Sequence, residues 1–572
     1  MRGARFVSLG QREVPLDYFT EEIIQSSFVA IGEEMFVALQ RSSMSPIIYE
    51  TLDYAVGITD AEANLIAQGN GVVSFLGTLD AAVSSVRKKF KIENIFPGDI
   101  FVTNDPYSGG GTHLSDVTLV LPVFYDGELV AFVANKAHWT EMGGKAPGSF
   151  TTDSTEIYQE GLQLPTVKLM QEYQIDKSLL DLLAANVRLP DRTLGDLWAG
   201  IAAIRIGERR LLELLQRYGK PMVLGAKDAL LDYGESMSLK ALQALPKGVF
   251  EAEDFIDSDG LGHGPFRVQV KVTITDDRFI IDYTGSHPQV PGPVNTTRTG
   301  LESRARAIFR AVTTPNLPTN GGMFRPLEVL CPEGTVFTAV RPAPTSTYWE
   351  AGGLAIDLVW KALATHVPER LPAGGFLSVC ATVLSGPHPE TGELYLLVEP
   401  LLGGWGAGYN KDGERGQFCQ SNGETYNIPI EVTEQRYGVR VERYQLHTED
   451  GGAGAYRGGN GVLLDYRVLS GPAQVTGIYG RSQFRPWGVH GGCEGSENAI
   501  RILRVSGQEE CLASAARVPL EAGDIVRLVT GTGGGWGEPA KRSREQVLDD
   551  LKNEYITSKQ ACLHYSFNPK VG

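Results

Sequence analysis

Residues 109–144, "GGGTHLSDVTLVLPVFYDGELVAFVANKAHWTEMGG", hold two of the nine histidines at a spacing that allows them to share one metal ion. His113 stands three residues before Asp116, where a glycine loop runs into a strand, and His138 closes a second strand. A divalent metal needs three or four nitrogen or oxygen ligands converging from rigid elements. The dipeptide Asp126–Gly127 in "YDGEL" is the signature of a tight hairpin turn. Asp116 lies ten residues before Asp126 and His138 eleven after Gly127, so one antiparallel pair carries both to the same end. The same spacing also allows a hydrogen-bonded His113–Asp116 pair that braces the glycine loop with no ion.

Other chemistries leave weaker traces. "VRLVTGTGGGWGEPAKRSREQVLDDLK" runs strand, glycine loop, helix, the order of a phosphate cradle. It matches neither G-x-G-x-x-G nor the Walker pattern, and Pro539 interrupts the approach to the helix. "EMGGKAPGS" puts Lys145 after two glycines but lacks the first glycine of a Walker loop. Both read as glycine turns. If the reaction uses ATP, the nucleotide is therefore expected on another chain. G-x-S-x-G and H-E-x-x-H are absent from the sequence. The six cysteines are irregularly spaced and none forms C-x-x-C, so they read as scattered reduced thiols.

The elements that must position His113, Asp116 and His138 follow from periodicity. "YFTEEIIQSSFVAIGEEMFVALQRSS" repeats Ile24, Phe28, Ile31, Met35 and Ala38 near a helical period, with Thr20 as the expected cap. "TLDAAVSSVRKKF" is a second helix, with Thr78 in the cap position and Leu79, Ala82, Val83, Val86 and Phe90 on one face. Between them "DYAVGITDAEANLIAQG" reads as a hairpin turning at Ala63 and Asn64, and 98–139 reads as three strands. Helices follow over about 176–245, strands over 248–284, and two more helices near 300–313 and 353–365. After about 370 the chain is strand- and glycine-rich up to a last helix at "SREQVLDDLKNEYI", with no internal repeat.

The fold class expected is α+β and multi-domain, since 572 residues exceed one core at roughly 100–200 residues per domain. The boundaries expected are a metal-binding α+β region over 1–245, a middle α+β region over 246–369 and a β-rich region over 370–572 ending in a helix. A net charge of −16 argues against nucleic acid and anionic membranes as partners. With no run of 18 apolar residues and no signal-like start, the sequence reads as cytoplasmic.

"NDPYSGGGTHLSDVTLVLPVF" resembles the hydantoinase B family, which also includes the second half of 5-oxoprolinase, lactamase subunits and the acetone carboxylase alpha subunit. Further segments resemble it in order: "NVRLPDRTLGDLWAGIAAIRIGERRLLELLQRYG", "IDYTGSHPQVPGPVN", "PTNGGMFRPLEVLCPEGT", "GGAGAYRGGNG", "RSQFRPWGVHGG" and "GTGGGWGEP". The resemblance implies a metal site at His113, Asp116 and His138, with Asp53 in "YETLDYAVGITD" as a looser fourth match. Zinc or manganese suits two histidines and carboxylates, and the ligands alone do not choose between them.

The resemblance also implies a partner, a hydantoinase A-type subunit that binds ATP with Mg, in a hetero-oligomer such as a heterotetramer. That subunit would phosphorylate the oxygen of a cyclic amide, and metal-activated water on this chain would attack the activated carbon. Glu141, three residues beyond His138, is the candidate nearby proton acceptor. A ketone carboxylase of the acetone carboxylase type is the alternative activity, and a non-catalytic scaffold the third. His287 and His490 read as turn residues, and His263 in "GLGHGPF" as a loop residue without a partner.

Overall fold

A computed structural model describes residues 6–9, 12–15, 17–69, 71–75, 77–423 and 425–567. A short hairpin, β1 (Phe6–Leu9) and β2 (Arg12–Pro15), precedes the long helix α1 (Tyr18–Ser42) and the single turn α2 (Pro46–Tyr49). Then come β3 (Tyr54–Asp60), β4 (Leu65–Gln68), α3 (Thr78–Lys89), β5 (Ile100–Thr103), β6 (Asp116–Tyr125), β7 (Glu128–His138), β8 (Val167–Gln171) and β9 (Gln174–Ile175). They form one antiparallel sheet in the order β4-β3-β7-β6-β5-β8-β9. Three helices follow: α4 (Lys177–Asn186), α5 (Pro190–Tyr218) and α6 (Lys220–Ala244).

The sheet is covered on both faces, which explains why β3 is buried along its whole length. Helices α1 and α5 pack on one face and α3 on the other. Alternation along the strands divides the side chains accordingly. Val117, Leu119, Val133 and Ala137 join the core under α1 and α5, whereas Ala55, Val120, Phe132 and Ala134 join the smaller core under α3.

Two expected caps are corrected. Helix α1 is capped by Asp17, whose carboxylate accepts from the N–H groups of Phe19 and Thr20 (3.1 and 3.0 Å), so Thr20 is a helical residue. Helix α3 is capped by Gly77 in the left-handed region (φ 76°). Thr78 is its first residue and its hydroxyl donates back to the Phe75 carbonyl at 2.9 Å. The Ala63 turn is as expected, with Ala63 at φ 70° and the Asp60 carboxylate accepting from the N–H of Glu62 and Asn64.

The middle of the chain builds a sheet of β10 (Gly248–Ile256), β11 (Phe266–Ile274), β12 (Phe279–Asp282) and β13 (Leu327–Leu330), with α7 (Arg298–Thr313) placed before β13 in the chain. Against it lies α8 (Trp349–Leu363), in which every residue but Lys361 is buried. A helix buried this completely, its acids Glu350 and Asp357 included, is enclosed on every side. It starts four residues earlier than the periodicity indicates, because Gly352 and Gly353 mask the helical signal of its first turn.

Beyond 370, β14 (Thr382–Pro387), β15 (Leu394–Glu399), β16 (Val439–Leu446), β17 (Val462–Val468), β18 (Ala473–Ile478), β19 (Ala499–Leu503), β20 (Glu509–Leu512), β21 (Ser514–Leu520) and β22 (Ile525–Val529) make two antiparallel sheets around a second core. The short α9 (Ile430–Arg436) lies between β15 and β16. The expected last helix is α10 (Arg544–Lys552), but α11 (Ser558–Tyr565) follows it, started by a capping box on Thr557 and Gln560.

Glycine loops interlock between these strands. Gly533 N–H donates to the Gly459 carbonyl (3.0 Å), Gly534 N–H to Gly374 (2.8 Å) and Gly535 N–H to Cys493 (2.9 Å). A Cβ at Gly533 would stand 2.0 Å from the Trp405 carbonyl oxygen. The N–H donors of "GTGGGWG" are thus all spent within the protein, those of Gly531 and Thr532 on the side chains of Asn498 and Ser496 and the other five on backbone carbonyls. Lys145 in the other glycine stretch is paired with Asp153 at 2.9 Å.

Candidate metal centre

Asp116 and His138 are register partners at the open end of the β6–β7 hairpin. A bulge shifts the register between Val123 and Phe124, which absorbs the unequal counts of ten and eleven residues to the turn. The next strand adds a third residue to the row. His138 N–H donates to the Asp53 carbonyl at 3.0 Å, one position beyond the pairing of Tyr54 with Ala137. Residues side by side across strands share a face, so Asp53, His138 and Asp116 project together on the α3 side.

His113 arrives from the loop. Asp116 N–H donates to the His113 carbonyl at 3.2 Å, a tight turn that folds the imidazole back over the strand. His113 Nε2 lies 3.2 Å from Asp116 Oδ1, and His138 Nδ1 lies 3.4 Å from the same oxygen. One ligand atom from each of the three lies within 4.8 Å of the others. Asp53 Oδ2 is 3.9 Å from His138 Nδ1, and its side chain is 25% exposed where the other three are nearly closed off.

Surrounding groups aim these side chains. His113 Nδ1 contacts the Ser346 carbonyl at 3.1 Å; with the proton on that nitrogen, Nε2 keeps a free lone pair. Asp116 Oδ2 accepts from the hydroxyls of Thr112 and Tyr348, the latter at 3.3 Å. Asp116 Oδ1 and His138 Nε2 are buried with no hydrogen-bond partner among the described residues. Orphaned atoms of this kind, on side chains that otherwise converge, suit a cation.

The electrostatics separate the two carboxylates. Burial pushes Asp116 up, but His113 and His138 more than reverse this and hold it well below the usual carboxylate range. Burial dominates at Asp53, helped by Asp116 and opposed by His138, and lifts its carboxyl to about 7. Lys136, two residues before His138 on the same face, is pushed down to about 7 by burial.

A cavity lies above the cluster, lined by Asp53, His113, Asp116 and His138 with Ser74, Phe150, Tyr348, Trp349, Val379 and Val398. The loop after β7, the first turn of α8 and the strands of the C-terminal region all reach it. Tyr348 and Trp349 carry no motif and lie more than 200 residues from the histidines, so spacing offers no route to them. Their sole trace in the sequence is the α8 helix itself, whose first turn the periodicity leaves out.

Glu141 is turned away from the cavity, contrary to its candidate role. It is fully buried and accepts from Gly143 N–H (2.6 Å), Gly148 N–H (2.9 Å) and Arg188 Nη1 (2.9 Å). It ties down the loop after β7. His263 does have a partner, Asp259 Oδ2 at 2.8 Å from Nδ1, because the glycine loop closes on itself. His287 and His490 lie outside the cluster, their rings against Phe266 and Trp536.

Fold and site define a large α+β protein with a buried His₂–Asp cluster at the end of a three-strand row. The chain belongs to the hydantoinase B/oxoprolinase family, whose profile matches residues 17–539. It is 32% identical to the B-type subunit of the putative D-/L-hydantoinase of Pseudomonas sp. (strain NS671), over 96% of this chain and 95% of that one. It is 31% identical to the beta subunit of the caprolactamase of Pseudomonas jessenii, over 96% of both. Among solved structures it resembles the ATP-dependent caprolactamase of P. jessenii, with a TM-score of 0.89 and 29% identity over 96% of both chains. Acetone carboxylase in its nucleotide-free form gives the same TM-score, 0.89, at 19% identity over 96% of this chain and 79% of that one, a likeness of fold. Among the described residues no helix is long and apolar enough to cross a membrane.

Proposed function

We propose that this protein is the B-type subunit of an ATP-dependent cyclic amidohydrolase that opens hydantoin-like rings or lactams. The observation that carries the reading is the convergence of His113, Asp116 and His138 within 4.8 Å, in a family whose members are named for hydantoins, lactams and oxoproline. These three residues hold one divalent ion, zinc or manganese, and Asp53 completes the set from the cavity mouth. Such an ion supplies Lewis acidity, lowering the pKa of water and polarising a carbonyl.

The chain's own residues do the rest. Ser346 fixes the His113 tautomer, while Thr112 and Tyr348 hold one oxygen of Asp116 and leave the other free. Phe150 and Trp349, stacked at 5.3 Å, close an apolar wall that excludes bulk water. ATP with Mg belongs to an A-type partner in a hetero-oligomer in the cytoplasm, a division of labour that fits the internal use of the glycine-loop donors. The likeness to acetone carboxylase supports a second reading, ketone carboxylation at the same site.

Metal content per chain, measured by mass spectrometry, tests the centre. We expect about one zinc or manganese in wild type and none in folded Asp116→Asn or His138→Ala. With an A-type partner present, ring opening independent of bicarbonate supports the hydrolase and bicarbonate-dependent turnover supports the carboxylase. A chain that hydrolyses ATP by itself would overturn the division of labour.

A further inference from the structure

Arg304 on α7 is wholly buried, yet among the described residues it has no carboxylate partner. Its Nη1 donates to the carbonyls of Ser74 (3.2 Å) and Gly300 (3.4 Å), while Nε and Nη2 find no acceptor. The guanidinium lies over the Tyr348 ring, 4.8 Å from its centroid. The His113 ring lies 5.1 Å from the same tyrosine ring, and the Tyr348 hydroxyl contacts Asp116. Space for the guanidinium comes from Gly352, one turn beyond Tyr348, where a Cβ would stand 2.8 Å from Arg304 Nε.

A second buried basic side chain shares this region. Lys136 is fully enclosed, its Nζ donating to the Gly110 carbonyl at 2.5 Å and standing 5.3 Å from the Phe75 ring centroid. Asp80, the acid on that side, is taken by Arg306 at 2.7 Å. Charged groups enclosed in protein are ordinarily paired, because an unpaired charge loses its hydration without compensation. Here the guanidinium of Arg304, with no carboxylate in contact, sits directly against Ser74 and Tyr348, two residues of the cavity wall. A divalent ion on the cluster would neutralise Asp53 and Asp116, leaving the positive charge of Arg304 to act on whatever fills the cavity.

We propose that Arg304 is a positioning and specificity residue that makes this cavity select an anionic substrate group. It acts through Tyr348 and Ser74 rather than by direct contact. Resting on the hydrolase reading above, the group selected is the phosphoryl group of an activated amide. The arrangement places negative charge beside the metal cluster without consuming a ligand position.

The test uses the full chain with inorganic phosphate as probe and zinc uptake measured in parallel. We expect saturable phosphate binding by wild type, weakened about tenfold or more in Arg304→Met, as for loss of a buried charge partner. Zinc affinity should move the other way and tighten, because a nearby positive charge has gone. Arg304→Lys keeps a basic group without the planar stacking surface and should bind phosphate more weakly than wild type but more tightly than Arg304→Met. A residue that merely props the fold would weaken both ligands together and would not be rescued by lysine, an outcome that overturns the proposal. So would a wild type that ignores phosphate, or phosphate binding unchanged in Arg304→Met. Should Arg304→Met not fold, Arg304→Gln takes its place with the same outcomes. A chain that loads zinc but ignores phosphate sinks this inference alone. One that binds phosphate through Arg304 but takes up no metal sinks the hydrolase reading instead.

Discussion

Glu160 Oε1 accepts the main-chain N–H of Ser346 at 2.9 Å, and the carbonyl of that same serine holds His113 Nδ1 at 3.1 Å. The carboxylate also accepts from Thr345 N–H and the Ser154 hydroxyl. A buried acid on the loop after β7 thus sets the tautomer of a candidate ligand through the backbone of one residue. Glu160→Ala should weaken zinc affinity by about 10- to 100-fold, the usual cost of losing an outer partner, without removing any ligand. Competition with a chromophoric chelator would measure it. Unchanged affinity in a folded variant would show that Ser346 is held by its neighbours alone.

Glu141 should behave differently, because its carboxylate braces a loop. Glu141→Gln is expected to leave metal stoichiometry at the wild-type value. It should lower the melting temperature, since the Arg188 ion pair at 2.9 Å becomes a neutral contact. Mass spectrometry and a thermal scan on the same sample separate the two roles.

Stability should fall with rising pH above the ordinary carboxylate range. Burial raises Glu350 to about 8 and Glu160 to about 7. Each stays protonated in the folded chain over a span where the unfolded chain has ionised. The folded state therefore binds more protons there, and stability drops as pH rises from about 5 to about 8. Glu350→Gln, whose amide oxygen can still accept from the Ser378 hydroxyl, should flatten that slope. Melting temperatures across the window would show it, and parallel curves for the two proteins would refute it.

The glycine loops of the C-terminal region should be intolerant of any side chain. Gly533→Ala puts a methyl on the Trp405 carbonyl, and overpacking against backbone costs on the order of 3 kcal/mol. Gly127→Ala, where a Cβ meets nothing within 4 Å, isolates the cost of a left-handed backbone alone and should be much milder. Denaturant titration of both variants checks the difference.

The hairpin of the site was legible because its turn has a signature and its strands are long. Asp-Gly fixes one end, and counting outward brings Asp116 opposite His138. Asp53 was less visible. It joins the row through a third strand, and cross-strand neighbours from a separate hairpin leave no spacing to count. Tyr348, Ser346, Glu160 and Arg304 were invisible for a stronger reason, since they meet the cluster through packing between distant segments. Periodicity leaves the cap of α1 three residues uncertain: Asp17 holds the position expected of Thr20 because a carboxylate there satisfies two N–H groups at once. Helix α8 was placed, but its paired glycines hid the turn that matters most to the site.

The β6–β7 hairpin has one further use. Its tip, Asp126 to Glu128, is exposed, whereas the opposite end is enclosed around Asp116 and His138. Ten residues of strand at about 3.3 Å each separate the two, roughly 33 Å. A fluorophore or affinity tag grafted at the tip would therefore ride on the same rigid ribbon that carries two of the candidate ligands, far enough away to leave them undisturbed. The hairpin is a ready-made handle for following what happens at the cluster from outside the protein.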